Sequence, residues 1–162
     1  MSTATLTRRD LRFETLDDAR RDVRHLVAVG YDRAGKWSLG QACYHLAIWV
    51  RYPLDGFPPL PVWQRPLAWL IRNTVAPAYT RRVIASNKVP SRIPAPLGTV
   101  PPATFGDPDG VSQYETQLDR LREYHDVPHR SPLLGALSNA ELKRLSCVHA
   151  AHHLSFLVPK HT

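Results

Sequence analysis

Cysteine, acidic side chains and long apolar runs are all scarce in this chain. Two cysteines, Cys43 and Cys147, occur in 162 residues, too few for a disulfide scaffold, so both are expected to be free thiols. The longest uninterrupted apolar stretch lies around His45 to Val50, far short of the ~18 residues that a membrane span needs. The opening MSTATLTRRD lacks the apolar segment of a secretory signal, which points to the cytoplasm. Asp plus Glu number 14 against 21 Lys plus Arg, a net charge of +7. Those basic residues never gather into a run of five or six, and no recognisable nucleic-acid motif accompanies them. Dispersed charge of this kind serves solubility as readily as binding, so no specific nucleic-acid partner is expected. An apolar fraction of 43% excludes wholesale disorder, and the length fits one domain over residues 1–162.

Strand alternation, internal repeats and low-complexity tracts are missing as well, which leaves an all-α reading. Residues 1–14 form a short N-terminal arm. Thr15 then caps a first helix, with Asp17 and Asp18 in the turn where negative charge suits the helix dipole. Its stripe is Leu16, Val23, Leu26 and Val27, and Gly30 closes it. Ser38-Leu39-Gly40-Gln41 is a capping box that opens a second helix, expected to stop at Tyr52 before Pro53. A third begins near Trp63, with Pro66 in its first turn and Trp63, Leu67, Leu70 and Ile71 on one side, until Pro77 breaks it. Interleaved Arg and Trp would suit a membrane-surface helix, but Arg65 and Arg72 are too few for a basic face, so a bundle helix is expected and no membrane contact. Pro90, Pro94, Pro96, Pro101, Pro102 and Pro108 mark a long loop over about residues 88–110. Loops of that length in small domains are commonly lids or disordered. A fourth helix starts near Asp109 with a stripe of Val111, Tyr114, Leu118 and Leu121. A second capping box, Ser138-Asn139-Ala140-Glu141, opens the last, which should reach Leu157 before Pro159. Four main helices and a segment beyond Pro77 suggest a bundle.

Eight histidines carry the chemistry. His149 and His153 are four apart, about 40° on the wheel, so they stack on one face. Leu142, Leu145 and Phe156 share that side, which makes it the core face. Imidazoles aimed into an apolar interior need partners, since an unpaired buried polar group costs roughly 1 to 3 kcal/mol. His45 stands on the second helix with Gln41, Ala42, Ile48, Trp49 and Tyr52, and a histidine there can meet the pair. His45, His149 and His153 are the candidate ligands. Three neutral imidazoles suit zinc, nickel, copper or iron(II) and leave coordination positions open. Cys43 and Cys147 each precede a histidine by two, about 200° away, so each packs as a small apolar residue instead. His152 is an alternative ligand to His153 or a supporting group. No Asp or Glu lies within a turn of His149 or His153 on their face, and Glu141 belongs to the cap.

At WSLGQACYHLA (Trp37 to Ala47), LDGFP (Leu54 to Pro58) and LLGALSNAELKRLSCVHAAHHLSFL (Leu133 to Leu157), the chain resembles the DinB/YfiT-like superfamily of metal-binding four-helix bundles, in a branch described only as a domain of unknown function. The resemblance spans nearly the whole chain. It implies an up-down-down-up helix bundle with His45, His149 and His153 at the superfamily's three metal-ligand positions. Where relatives have His-Pro before a Leu-x-Gly turn, Arg130 and Ser131 separate His129 from Pro132. Leu142 stands where an aromatic residue is expected.

Members of that superfamily include transferases and isomerases that use low-molecular-weight thiols such as mycothiol, bacillithiol or glutathione. The resemblance therefore implies a zinc- or nickel-dependent thiol S-transferase acting on a small electrophilic substrate, or a related lyase or hydrolase. Arg81, Arg82 or Arg92 is then a candidate for the substrate carboxylate. The competing expectation is a non-enzymatic bundle with a structural or absent metal, serving as a binding or stress-associated protein. A homodimer is expected if an apolar helix face stays exposed.

Overall fold

Three capping boxes set the starts of three helices. Thr15 Oγ1 accepts from the Asp18 amide while the Asp18 carboxylate accepts from the Thr15 amide. Ser38 and Gln41 do the same, as do Ser138 and Glu141. Each pair satisfies two amides that a helix start leaves orphaned. The computed structural model describes residues 6–90 and 98–160. In chain order it contains α1 (Leu16–Val29), β1 (Tyr31–Arg33), α2 (Leu39–Asp55), a 3₁₀ turn (Val62–Gln64), α3 (Arg65–Thr74), α4 (Ala76–Ser86), α5 (Asp107–Glu123), α6 (Asn139–Leu154) and β2 (Leu157–Pro159).

The protein is mostly helical. Its four longest helices form a closed ring of contacts, α1 against α5 and α6, and α2 against the same two. Leu26, Leu46, Leu118, Tyr114 and Leu154 fill the space between them. The α2–α5 contact is the most extensive, because glycines meet backbone to backbone. A Cβ on Gly40 would lie 2.3 Å from the Gly106 carbonyl oxygen, and one on Gly110 would lie 2.2 Å from that of Gly40. The start of α2 is tied down on all sides. The Leu39 amide donates to Tyr31 Oη, the Gly40 amide to Asp107, and the Gln41 amide to Ser38. Tyr31 Oη in turn donates to Asp107 at 2.7 Å, so the strand after α1 fixes where α2 begins.

Several expectations need correction. Two short strands exist: β1 pairs antiparallel with β2, Tyr31 opposite Pro159. Three-residue strands show no alternation to read, and this one is held by a partner from the far end of the chain. The last helix accordingly ends at Leu154 rather than Leu157. The second continues through Pro53 to Asp55. A proline so near the end gives up one hydrogen bond, and the Gly56 amide still donates to the Tyr52 carbonyl. The fourth starts at Asp107, with Pro108 in its first turn. Ala19 rather than Val27 completes the α1 stripe, leaving Val27 58% exposed.

Pro77 does separate two helices, α3 and α4. The apolar side of the third helix does not face a core: Trp63, Leu67 and Leu70 are all exposed, and only Ala68 of α3 is buried. Helical spacing reports that a stripe exists, not that another element covers it. Pro94, Pro96 and Arg92 lie outside the described residues. The described end of the proline-rich segment lies on α2: Gln41 Nε2 donates to the Pro102 carbonyl at 2.9 Å, and the Phe105 ring packs on Tyr44.

Candidate metal centre

α2 delivers His45 almost two turns after its capping box, and α6 delivers His149 and His153 from adjacent turns of one face. The structure brings all three together. His45 Nε2 is 3.3 Å from His149 Nε2, which is 2.9 Å from His153 Nε2. One ligand atom from each lies within 4.8 Å of those of the others. Tetrahedral bonds of about 2.0 Å would set ligand nitrogens about 3.3 Å apart, a spacing that the His45–His149 pair matches and the His149–His153 pair approaches.

His45 Nδ1 is 2.8 Å from the Thr99 carbonyl, which can only accept, so Nδ1 carries the proton and Nε2 presents its lone pair. Such a backbone contact is the usual way a ligating imidazole is oriented. His149 Nε2 touches both neighbours, yet a neutral imidazole nitrogen has one proton or one lone pair and cannot make full hydrogen bonds to both. Its Nδ1 is buried with no hydrogen-bond partner. A cation among three lone pairs resolves the conflict, so the residues present fit a divalent transition metal, and the three could hold one.

Burial acts on all three in the direction that ligation needs. It lowers the pKa of His45, against the opposing effect of the Thr99 carbonyl. It lowers those of His149 and His153 well below the ordinary value, with neighbouring imidazoles adding to the shift. Neutral rings with available lone pairs result at neutral pH. Two tryptophans wall the cluster. Trp37 stacks on His153 with ring centroids 5.2 Å apart, and Trp49 and His149 meet in a T-shaped contact with centroids 4.5 Å apart. Trp49 shares the His45 side of its helix as expected. Trp37 was not foreseen, because it precedes the N-cap and no helical wheel reaches it. Nor could the Thr99 carbonyl be, since a backbone atom has no residue signature.

The remaining candidates fall elsewhere. His152 Nδ1 accepts from Arg8 at 3.2 Å, so its ring supports the N-terminal arm, and it stands outside the three-histidine cluster. Burial and then Arg8 push its pKa down to about 4. His129 lines a separate surface groove with Arg65 and Arg130. Cys43 and Cys147 are buried free thiols in the core, away from the cluster. Arg82 lines an open cleft of about 600 Å³ with Arg8, Lys88, Asp10 and His152. Arg81 is exposed, and Arg92 is outside the described residues. Among the described residues no carboxylate joins the three imidazoles.

Helices enclosing three convergent, neutral imidazoles define a helical protein with a candidate transition-metal centre. The chain belongs to the family described as "Protein of unknown function (DUF1569)", whose model matches residues 5–160. No curated protein and no solved structure matches the chain.

Proposed function

We propose that this protein is a cytoplasmic, divalent-metal-dependent enzyme of thiol S-transferase type, with zinc or nickel held by His45, His149 and His153. The observation that carries the reading is the convergence of three Nε2 atoms, one of them oriented by the Thr99 carbonyl. The ring of four long helices supports an up-down-down-up four-helix bundle of the DinB/YfiT-like kind. Three protein ligands leave coordination positions for a substrate. A bound divalent ion supplies Lewis acidity, which turns a thiol into a thiolate at neutral pH.

The chain's own groups divide the remaining work. Thr99 holds the His45 ring in one tautomer, while Trp37 and Trp49 exclude water from two sides. Arg8, Arg82 and Lys88 give the neighbouring cleft a positive lining suited to a thiol's carboxylate. The His152 ring, which also lines it, is 5.0 Å from that of His153. The lack of a carboxylate at the cluster favours thiol chemistry over hydrolysis, because a thiol needs only acidification whereas attack by water is commonly helped by a positioned base.

The test incubates metal-loaded protein with glutathione, bacillithiol or mycothiol and a small electrophile, and follows thiol consumption. Loss of turnover in His153→Ala, and in wild type after chelation with the fold intact, is the expected result. A loaded protein that consumes none of the three thiols and unfolds when chelated would instead make the ion a structural clip.

A further inference from the structure

Arg65, Ala68, Trp69 and Arg72 stand at i, i+3, i+4 and i+7 on α3, so they share one face of that helix. Together they form one wall of an open groove of about 580 Å³, which Phe57, Leu60, His129, Arg130 and Pro132 also line. Leu67 and Leu70 lie on the opposite side of the helix and take no part. The groove shares no residue with the three-histidine cluster or with the cleft around Arg8.

Its walls are fixed by backbone contacts. The His129 amide donates to the Pro53 carbonyl at 2.7 Å, and Ser131 and Gly135 exchange hydrogen bonds of 2.8 and 3.0 Å that close the turn after Arg130. Gly135 has a φ of +85°, and a Cβ there would lie 3.3 Å from Arg72 Cγ. The missing side chain is therefore what seats the stem of Arg72 against the turn.

The chemistry of the lining selects the ligand. No Asp or Glu lines the groove, and among the described residues Arg65, Arg72 and Arg130 have no carboxylate partner. Asp55, which acts on His129, is paired with Arg120. Arg65 Nε donates to the Leu60 carbonyl at 3.2 Å, while Arg72 Nε is buried with no hydrogen-bond partner. A half-buried guanidinium without an acceptor is costly, and an anion in the groove offsets that cost. Apart from the ring of His129, every polar side chain in the lining is an arginine or the indole of Trp69, which donate and cannot accept. Three such cations suit the dianion of a phosphate ester, whose oxygens match the guanidinium fork. Trp69, 59% exposed, and the nearby Phe57 and Pro132 offer a flat apolar surface for a ring attached to that phosphate. The volume is that of a small-molecule site.

We propose that this groove binds an aromatic phosphate monoester, with Arg65, Arg72 and Arg130 around the phosphate and the ring against Trp69. The inference does not rest on the metal centre.

Isothermal titration calorimetry of the full chain with phenyl phosphate, inorganic phosphate and phenol tests it. Saturable binding of phenyl phosphate, about tenfold tighter than inorganic phosphate and absent for phenol, is the expected result. Arg72→Gln and Arg130→Gln should each weaken it by about tenfold or more, and Trp69→Ala should bring phenyl phosphate down to the level of inorganic phosphate. Arg130 is exposed, so its variant keeps the test intact where Arg72→Gln disturbs the packing on Gly135, and circular dichroism checks both. His153→Ala and Arg82→Gln should bind phenyl phosphate as wild type does, which separates the groove from the metal centre and from the cleft around Arg8. No binding of phenyl phosphate, equal affinity of the wild type for phenyl and inorganic phosphate, or unchanged affinity in Arg130→Gln overturns the proposal. So does loss of binding in His153→Ala or Arg82→Gln at unchanged circular dichroism, which would place the anion elsewhere.

Discussion

At the scale of single residues, two features set what the chain tolerates. Gly40 and Gly110 let α2 and α5 touch backbone to backbone, and a backbone carbonyl cannot swing aside as a side chain tip can. Gly40→Ala is therefore expected to cost at least the ~1–3 kcal/mol of overpacking, read as a lower urea midpoint. A midpoint within error of wild type would show that the helices separate freely. The thiols make a second case. Burial raises the Cys43 pKa far above its ordinary value and that of Cys147 to about 11, so neither is a thiolate at neutral pH. Ellman's reagent should titrate both only after unfolding, and rapid reaction of either in the native protein would contradict the packing. The core role of these cysteines was legible from the ~200° between each and its neighbouring histidine. The glycine contact was not, because nothing in the sequence tells α2 which helix it will cross.

Elements that depend on local chemistry were the ones the sequence disclosed best. The Ser38 and Ser138 boxes and the Thr15 cap announce α2, α6 and α1 because all the atoms involved lie within four residues. Each cap should be worth about 1 kcal/mol, so Thr15→Ala and Ser138→Ala are expected to lower stability by that amount. The boxes also tie stability to pH. Asp18 and Glu141 are held below their ordinary pKa, first by the amides of Thr15 and Ser138 respectively. Their contribution is complete above the ordinary carboxylate range and is lost as pH falls through the depressed folded-state values. Asp18→Asn should therefore flatten the loss of stability below about pH 5, and an acid limb identical to wild type would remove the box from the account. Pairing of β1 with β2 and exposure of α3 were illegible for one reason: both depend on what lies opposite an element. Three residues such as Tyr31–Arg33 carry no period, and the stripe of Trp63, Leu67 and Leu70 looks the same covered or bare.

Over the whole molecule, the ring of four helices and the strand pair fix the two histidine-bearing elements relative to one another. β1 leads into α2 through Tyr31, and β2 continues α6, so a single pairing ties the two together. The three-histidine cluster was legible because a His-x-x-x-His pair on a core face and a third imidazole on another helix can be found from the wheel alone. Its walls, Trp37 and the Thr99 segment, come from loops that only the folded chain brings near. Because the three imidazoles come from separate helices and converge only in the folded state, a bound metal would stabilise the fold by linkage, by about 4 kcal/mol at a thousandfold excess of free ion over Kd. Chelation should lower Tm in wild type and leave His45→Ala unaffected. The most direct test of the central claim is elemental analysis of untagged, metal-replete protein beside His45→Ala and His153→Ala. About one equivalent of a transition metal per chain, lost in both variants with circular dichroism unchanged, is the predicted result. No metal in the wild type, or undiminished metal in both variants, would contradict it.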